Sequence, residues 1–204
     1  MITIKKYAAI DIGSNAMRLL VTNIVEQKDC APQFNKCALV RVPIRLGQDS
    51  FTGGEISEEN IDRMIDAMKA FKLLMKVHKV EQYRACATSA MREAYNGKEV
   101  VEIIKKKADI KIDIIDGKKE AAIIAASDLK QFITSDKAYL YVDVGGGSTE
   151  FSLFFEGNII ASKSFKNGTV RLLNNMVSDI VWKEIEKWIK TNTESFDNIT
   201  LIGS

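Results

Sequence analysis

Tyr141-Val142-Asp143-Val144-Gly145-Gly146-Gly147-Ser148-Thr149-Glu150 runs an apolar strand into three consecutive glycines, with a carboxylate on either side. Glycine inside a regular element costs roughly 0.5–1 kcal/mol relative to alanine. Three together at the end of a strand therefore mark a turn, one that accepts positive φ or brings its backbone close to a ligand. Apolar residues resume through Phe155, so the stretch reads as a strand–glycine turn–strand hairpin.

The same arrangement occurs near the start of the chain. Tyr7–Ile12 and Met17–Val25 read as strands joined by Gly13-Ser14-Asn15, with Asp11 at the position that Asp143 holds later. Working outward, Cys37–Ile44 reads as a third strand. Ser57 reads as the N-cap of a helix carrying Ile61, Met64, Ile65, Met68, Phe71 and Met75 on one face, a stripe read as core. Tyr83–Ala87 and Ile110–Ile115 are expected strands, with helices over Val100–Lys107 and from Lys119 to Phe132. After the glycine hairpin come an expected strand Ile159–Phe165, a helix from Val177 to Thr191 and a strand Ile199–Ile202. Each half thus opens strand, Asp-x-Gly turn, strand, strand, helix, strand, and such an internal repeat reports architecture.

A tight glycine hairpin exposes several backbone N–H groups on one side, and Ser14, Asn15, Ser148 and Thr149 add short polar side chains. Two such hairpins facing each other across a cleft would grip phosphates. A carboxylate at the end of each leading strand would hold Mg²⁺ among the phosphate oxygens.

Composition narrows the classes. The 204 residues are 46% hydrophobic, enough for a substantial core, and the net charge of +2 is too small for a nucleic-acid binder or a polybasic membrane anchor. No apolar run approaches the roughly 18–20 residues that span a bilayer. No membrane or nucleic-acid partner is expected. The N-terminus lacks the pattern of a signal peptide, and Cys30, Cys37 and Cys86 form neither an even disulfide set nor a C-x-x-C pair. A reducing, cytoplasmic location is the expectation. The single histidine, His78, lies among lysines near an expected helix end and reads as solvated.

Three segments, Ala9-Ile10-Asp11-Ile12-Gly13-Ser14-Asn15, Ala87-Thr88-Ser89-Ala90-Met91-Arg92-Glu93-Ala94 and the Val142–Glu150 stretch, resemble the exopolyphosphatase / guanosine pentaphosphate phosphohydrolase family. Asn167-Gly168-Thr169-Val170-Arg171-Leu172 is similar to that family's G-x-V-R-L segment, and the likeness runs in order from about residue 7 to residue 204. It implies an α/β, actin-like/ribonuclease H-like two-domain fold, that of the sugar kinase, heat-shock chaperone and actin superfamily. It implies Mg²⁺-dependent hydrolysis of the terminal phosphoanhydride of inorganic polyphosphate or of guanosine pentaphosphate. Phosphoryl transfer of this kind needs anion neutralisation and a positioned water, with little covalent work.

The resemblance also assigns roles. Asp143, with Asp11, resembles the metal-organising aspartates. Gly145, Gly146, Gly147 and Ser148 resemble the phosphate cradle, as do Gly13, Ser14 and Asn15. Arg92 resembles an arginine that meets the polyphosphate, a task suited to a guanidinium. Glu150 resembles a second catalytic acid. Glu120 resembles the general base of a G-x-E-E-A-R motif, but this chain reads Gly117-Lys118-Lys119-Glu120-Ala121-Ala122. Lys119 replaces an acid and Ala122 an arginine. A lysine close to Glu120 would lower its pKa and weaken it as a base, or Lys118 and Lys119 would instead attract polyanion.

The expected division is an actin-like domain over residues 1–125 and the first part of another over 126–204. The family pattern continues past the last strand, so the second domain is expected to be incomplete. Its exposed apolar surface would be covered by a further segment or a partner such as a second copy in a homodimer. Two other classes stay open: a non-hydrolysing polyphosphate- or nucleotide-binding regulatory module, which the altered motif favours, and a kinase of the same fold.

Overall fold

The computed structural model describes residues 2–125 and 137–204. Strands β1 (Ile2–Ile12) and β2 (Ala16–Gln27) form a long antiparallel hairpin with Asp11 opposite Arg18 and Ile12 opposite Met17. Strand β3 (Gln33–Pro43) pairs antiparallel with β2, with an irregularity between Val21 and Thr22. Strands β4 (Gln82–Ala87) and β5 (Asp113–Ile114) continue the sheet in parallel on the other side, giving the order β3-β2-β1-β4-β5. Parallel neighbours need crossovers. Helix α2 (Glu58–Val77) links β3 to β4, and α4 (Gly97–Ala108) links β4 to β5. Between β3 and α2 lie a short turn of helix, α1 (Leu46–Gln48), and a π-helical turn, Asp49–Gly53.

The expected stripe is the core. Met64, Ile65, Met68, Phe71 and Met75 of α2 are buried, as are Ala8, Ile10, Ile12, Met17, Leu19 and Val21, which share one face of the sheet by strand alternation. Each such large side chain contributes about 1.5–3 kcal/mol. Ser57 caps α2, its hydroxyl accepting the Asn60 N–H at 3.3 Å.

The six-residue strand expected over Ile110–Ile115 is only the two-residue β5. Ile110, Ile112 and Ile115 are buried and lie outside the two-residue strand, so their apolar pattern reports burial.

The second half repeats the plan. Helix α5 (Gly117–Ala125) is followed by β6 (Ala138–Val144), β7 (Thr149–Phe155) and β8 (Asn158–Phe165), an antiparallel meander. Helices α6 (Thr169–Leu173) and α7 (Asp179–Thr193) lead to β9 (Ile199–Gly203), parallel to β6, for an order β8-β7-β6-β9. One face of this sheet packs Leu140, Phe151, Leu153 and Phe165 on Ile185, Val181, Trp188 and Ile189 of α7. Phe151 and Phe165 meet edge to face at 5.4 Å. The other face carries Tyr139, Tyr141, Phe154 and Ile202.

Two compact units divide at Ile114/Ile115, earlier than the expected boundary at residue 125. Helix α5 goes with the second unit because it packs on β7 and β8, Gly117 lying so close that a Cβ there would stand 2.8 Å from the Ser164 Cβ. The expected continuation of this helix to Phe132 lies outside the described residues. No helix among the described residues is long and apolar enough to cross a membrane.

Candidate functional site: two hairpin loops with capped carbonyls

The loop between β6 and β7 is closed by the Gly145 N–H donating to the Ser148 carbonyl at 2.9 Å. All three glycine carbonyls are then taken by the segment that follows β8. The Thr169 N–H donates to Gly145 at 3.0 Å and the Val170 N–H to Gly146 at 2.9 Å. The buried Arg171 donates its Nε–H to Gly147 at 2.7 Å. Among the described residues the N–H groups of Gly146, Gly147 and Ser148 have no acceptor. The loop therefore spends its negative dipole ends on the protein and offers its positive ends, the arrangement that binds anions.

The expectation of positive φ is corrected. None of these three glycines is among the glycines with positive φ, which are Gly54 and Gly157. Close approach is seen instead at Gly168, where a Cβ would stand 2.4 Å from the Gly146 carbonyl atoms, and at Gly145, where one would stand 3.1 Å from the Ser148 carbonyl oxygen.

Two acids flank the loop. Asp143 and Glu150 are direct cross-strand partners and share one face of the sheet. Glu150 is 2% exposed and its Oε1 accepts the hydroxyls of Ser148 at 2.6 Å and Ser164 at 2.8 Å. Ser148 gives its only hydroxyl proton to Glu150, so its backbone N–H is the donor left for an anion. Asp143 is half-buried, and its Oδ1 accepts the Ser204 hydroxyl at 2.6 Å. The phenol of Tyr141 lies 2.7 Å from the same Ser204 oxygen. Burial pushes that phenol above its ordinary range, and the Asp143 charge adds to it.

Glu120 lies in the first turn of α5, where its N–H donates to the Asp116 carbonyl at 2.9 Å and the Lys119 N–H to Asp116 Oδ1 at 2.8 Å. Gly117 of the same helix touches Ser164, the residue bonded to Glu150. The second unit thus gathers Asp143, the glycine loop and Glu150 on one hairpin, with the helix bearing Glu120 packed on it.

The first unit has a loop of the same design. Gly13 N–H donates to Ala16 at 3.1 Å, while the Ser14 and Asn15 carbonyls accept the N–H groups of Gly47 at 2.7 Å and Arg45 at 2.9 Å. Among the described residues the Ser14 and Asn15 N–H groups have no acceptor. In both units, then, the residues after the third strand cap the loop's carbonyls. Ser14 Oγ lies 3.1 Å from Ser89 Oγ at the start of α3 (Ser89–Glu93), which carries the half-buried Arg92 one turn on. Asp11 differs from Asp143 in facing a cation, Arg18, at 3.6 Å, a half-exposed pair that contributes little to stability.

Sequence reasoning had no role for Arg171, Gly168, Gly47, Ser164, Tyr141 or Ser204. Gly168 and Arg171 stood in a segment already singled out, and a glycine beside an arginine after the third strand was the available signal.

A sequence model described as the Ppx/GppA phosphatase family matches residues 22–195. The chain is 28% identical over 96% of its length to a bifunctional 3-dehydroquinate synthase/phosphatase of Fusobacterium nucleatum, covering 32% of that protein. It is 31% identical over 85% of its length to a guanosine-5'-triphosphate,3'-diphosphate pyrophosphatase of Photobacterium profundum, covering 34% of it. It is 30% identical over 82% of its length to exopolyphosphatase 2 of Mycobacterium tuberculosis, covering 53% of it. The chain therefore spans about a third to a half of these relatives. A crystal structure of an exopolyphosphatase from Cytophaga hutchinsonii superposes with a TM-score of 0.79 at 26% identity, covering 98% of this chain and 66% of that one. The Aquifex aeolicus member of the Ppx/GppA family gives 0.75 at 24%, covering 99% and 67%, a likeness of fold alone. The α/β, actin-like fold expected from the sequence is the fold observed.

Proposed function

The chain belongs to the Ppx/GppA phosphatase family, and from that premise we propose that it takes part in hydrolysing the terminal phosphoanhydride of inorganic polyphosphate or guanosine pentaphosphate. The observation that carries this reading is the β6–β7 loop, whose three glycine carbonyls are capped while the N–H groups of Gly146, Gly147 and Ser148 are left for an anion. In the first unit the Gly13–Asn15 loop and Arg92 offer a second anion-binding element.

The donor set suits Mg²⁺. Asp143 keeps its second carboxylate oxygen after accepting the Ser204 hydroxyl at one, and Glu150 opposite adds a negative field. Among the described residues no group of three His, Cys, Asp or Glu side chains forms a metal cage. One or two carboxylates completed by substrate phosphates and water is a common coordination for Mg²⁺. Asp143 would hold the ion, with Asp11 as the matching carboxylate of the first unit; once bound, it would neutralise charge on the phosphate oxygens.

The chain's own groups then do the following. The loop N–H groups orient the terminal phosphate. Glu120 takes the proton of the attacking water at a carboxylate oxygen. Arg92, with the Gly13–Asn15 loop, would balance phosphate charge on the first unit, and Glu150 fixes the loop of the second unit through Ser148. The experiment is phosphate release from long-chain polyphosphate and from guanosine pentaphosphate, each with and without Mg²⁺. Mg²⁺-dependent release from either supports the reading. Tight polyphosphate binding with no release from either substrate would replace it with the binding-module reading.

A further inference from the structure

A directed chain of hydroxyls stands behind Asp143. Ser204 Oγ donates to Asp143 Oδ1 at 2.6 Å, and Tyr141 Oη lies 2.7 Å from Ser204 Oγ. A serine hydroxyl has one proton. With it committed to the carboxylate, the Tyr141–Ser204 bond can only run from the phenol to the serine, so the order is Tyr141 O–H to Ser204 O–H to Asp143. Two further contacts fix the middle member: the Ser204 N–H donates to the Val142 carbonyl at 3.1 Å and its carbonyl accepts the Val144 N–H at 3.0 Å. Tyr141 is held as firmly, 8% exposed and packed with Tyr139, Phe154 and Ile202.

Among the described residues the first unit shows no tyrosine–serine pair of this kind. Ala9 occupies the position of Tyr141, and Asp11 faces Arg18 instead. The chain is therefore a property of one aspartate, not of the repeat.

We propose that Tyr141 is a positioning residue for the metal-binding carboxylate, acting through Ser204, which pins one oxygen of Asp143 and turns the other toward the cation. This rests on the reading that Asp143 holds the ion. Outer-sphere hydrogen bonds of this kind typically govern 10–100-fold in metal affinity, and Tyr141, one bond further out, governs less.

The test measures binding rather than turnover. Mn²⁺ is the probe, titrated by electron paramagnetic resonance into the full chain with the non-hydrolysable imidodiphosphate. Asp143→Asn should abolish the site. Ser204→Ala should weaken Mn²⁺ about tenfold or more, and Tyr141→Phe about two- to tenfold. Ser204→Thr, which keeps the hydroxyl, should stay within about twofold of wild type. The double variant Tyr141→Phe with Ser204→Ala should bind no more weakly than Ser204→Ala alone, because Tyr141 acts only through the serine. Additive losses would mean a general packing effect and overturn the proposal. If Asp143→Asn loses Mn²⁺ while Tyr141→Phe and Ser204→Ala bind as wild type, the hydroxyl chain is overturned and the metal reading stands. If Asp143→Asn binds Mn²⁺ as wild type does, both fall. Thermal melts locate a temperature at which every variant is folded, and the comparison is made there.

Discussion

Glu150 holds Ser148 across the mouth of the β6–β7 hairpin, the carboxylate accepting the hydroxyl at 2.6 Å from a position 2% exposed to solvent. The same carboxylate oxygen holds Ser164 on the next strand. One buried acid thereby ties the phosphate-loop candidate to the body of the sheet.

Replacing that acid separates charge from geometry. Glu150→Gln keeps an oxygen that can accept both hydroxyls and should fold normally. Glu150→Ala leaves the buried Ser148 hydroxyl and the part-buried Ser164 hydroxyl without their acceptor and should lose about 1–3 kcal/mol. Denaturant unfolding of the two variants checks this; equal losses would assign the stabilisation to the charge.

Gly168 admits no side chain. A Cβ there would stand 2.4 Å from the Gly146 backbone, so Gly168→Ala should displace either α6 or the glycine loop. A cost above the usual 1–3 kcal/mol of overpacking is expected, together with weaker anion binding. A thermal melt and a pyrophosphate titration would register both; an unchanged variant would show that the loop and α6 move freely.

Asp49 supplies a pH dependence in the first unit. Burial pushes its carboxyl up, but the Ser57 hydroxyl and N–H, the Asn60 amide and the charge of Arg63 together hold it below its ordinary value of 3.8. The folded form is thus the stronger acid. Its contribution, no more than about 1 kcal/mol for a partly exposed group, is present above the ordinary value and is lost as pH falls through the lower folded value. Thermal melts of wild type and Asp49→Asn should differ near neutrality and converge in acid. A difference that grows as the pH is lowered would contradict this assignment.

Glu120 and Lys119 are expected to act in opposite senses. Glu120→Gln should lower the turnover number by about 10²–10⁴-fold with binding retained. Lys119→Glu should raise it, since a nearby negative charge strengthens a carboxylate base. Steady-state phosphate release at saturating polyphosphate measures both. Equal turnover by wild type and Glu120→Gln removes Glu120 from the role of base.

The leading hairpin of each sheet could be read from the chain because the same pattern recurs around Asp11 and Asp143, and alternation is a strong signal when one face is buried. Helices α3 and α6 could not, since five residues hold little more than one turn and show no period. The compact units divide at Ile114/Ile115 rather than near residue 125 because α5 packs on β7 and β8, and its apolar residues alone do not say which sheet they pack on. The partners of the phosphate-loop candidate were hidden for a related reason. Arg171 reaches Gly147 from 24 residues away and Ser204 reaches Asp143 from 61, and such pairings are set by topology rather than by local pattern.

The central claim is that the N–H groups of Gly146, Gly147 and Ser148 bind a phosphate, and amide nuclear magnetic resonance reads them one by one. Titrating imidodiphosphate into isotope-labelled protein should shift those three amides first and saturably, and Gly168→Ala should blunt the response. Saturable shifts confined to other surfaces, with the Gly146–Ser148 amides unmoved, would contradict the account.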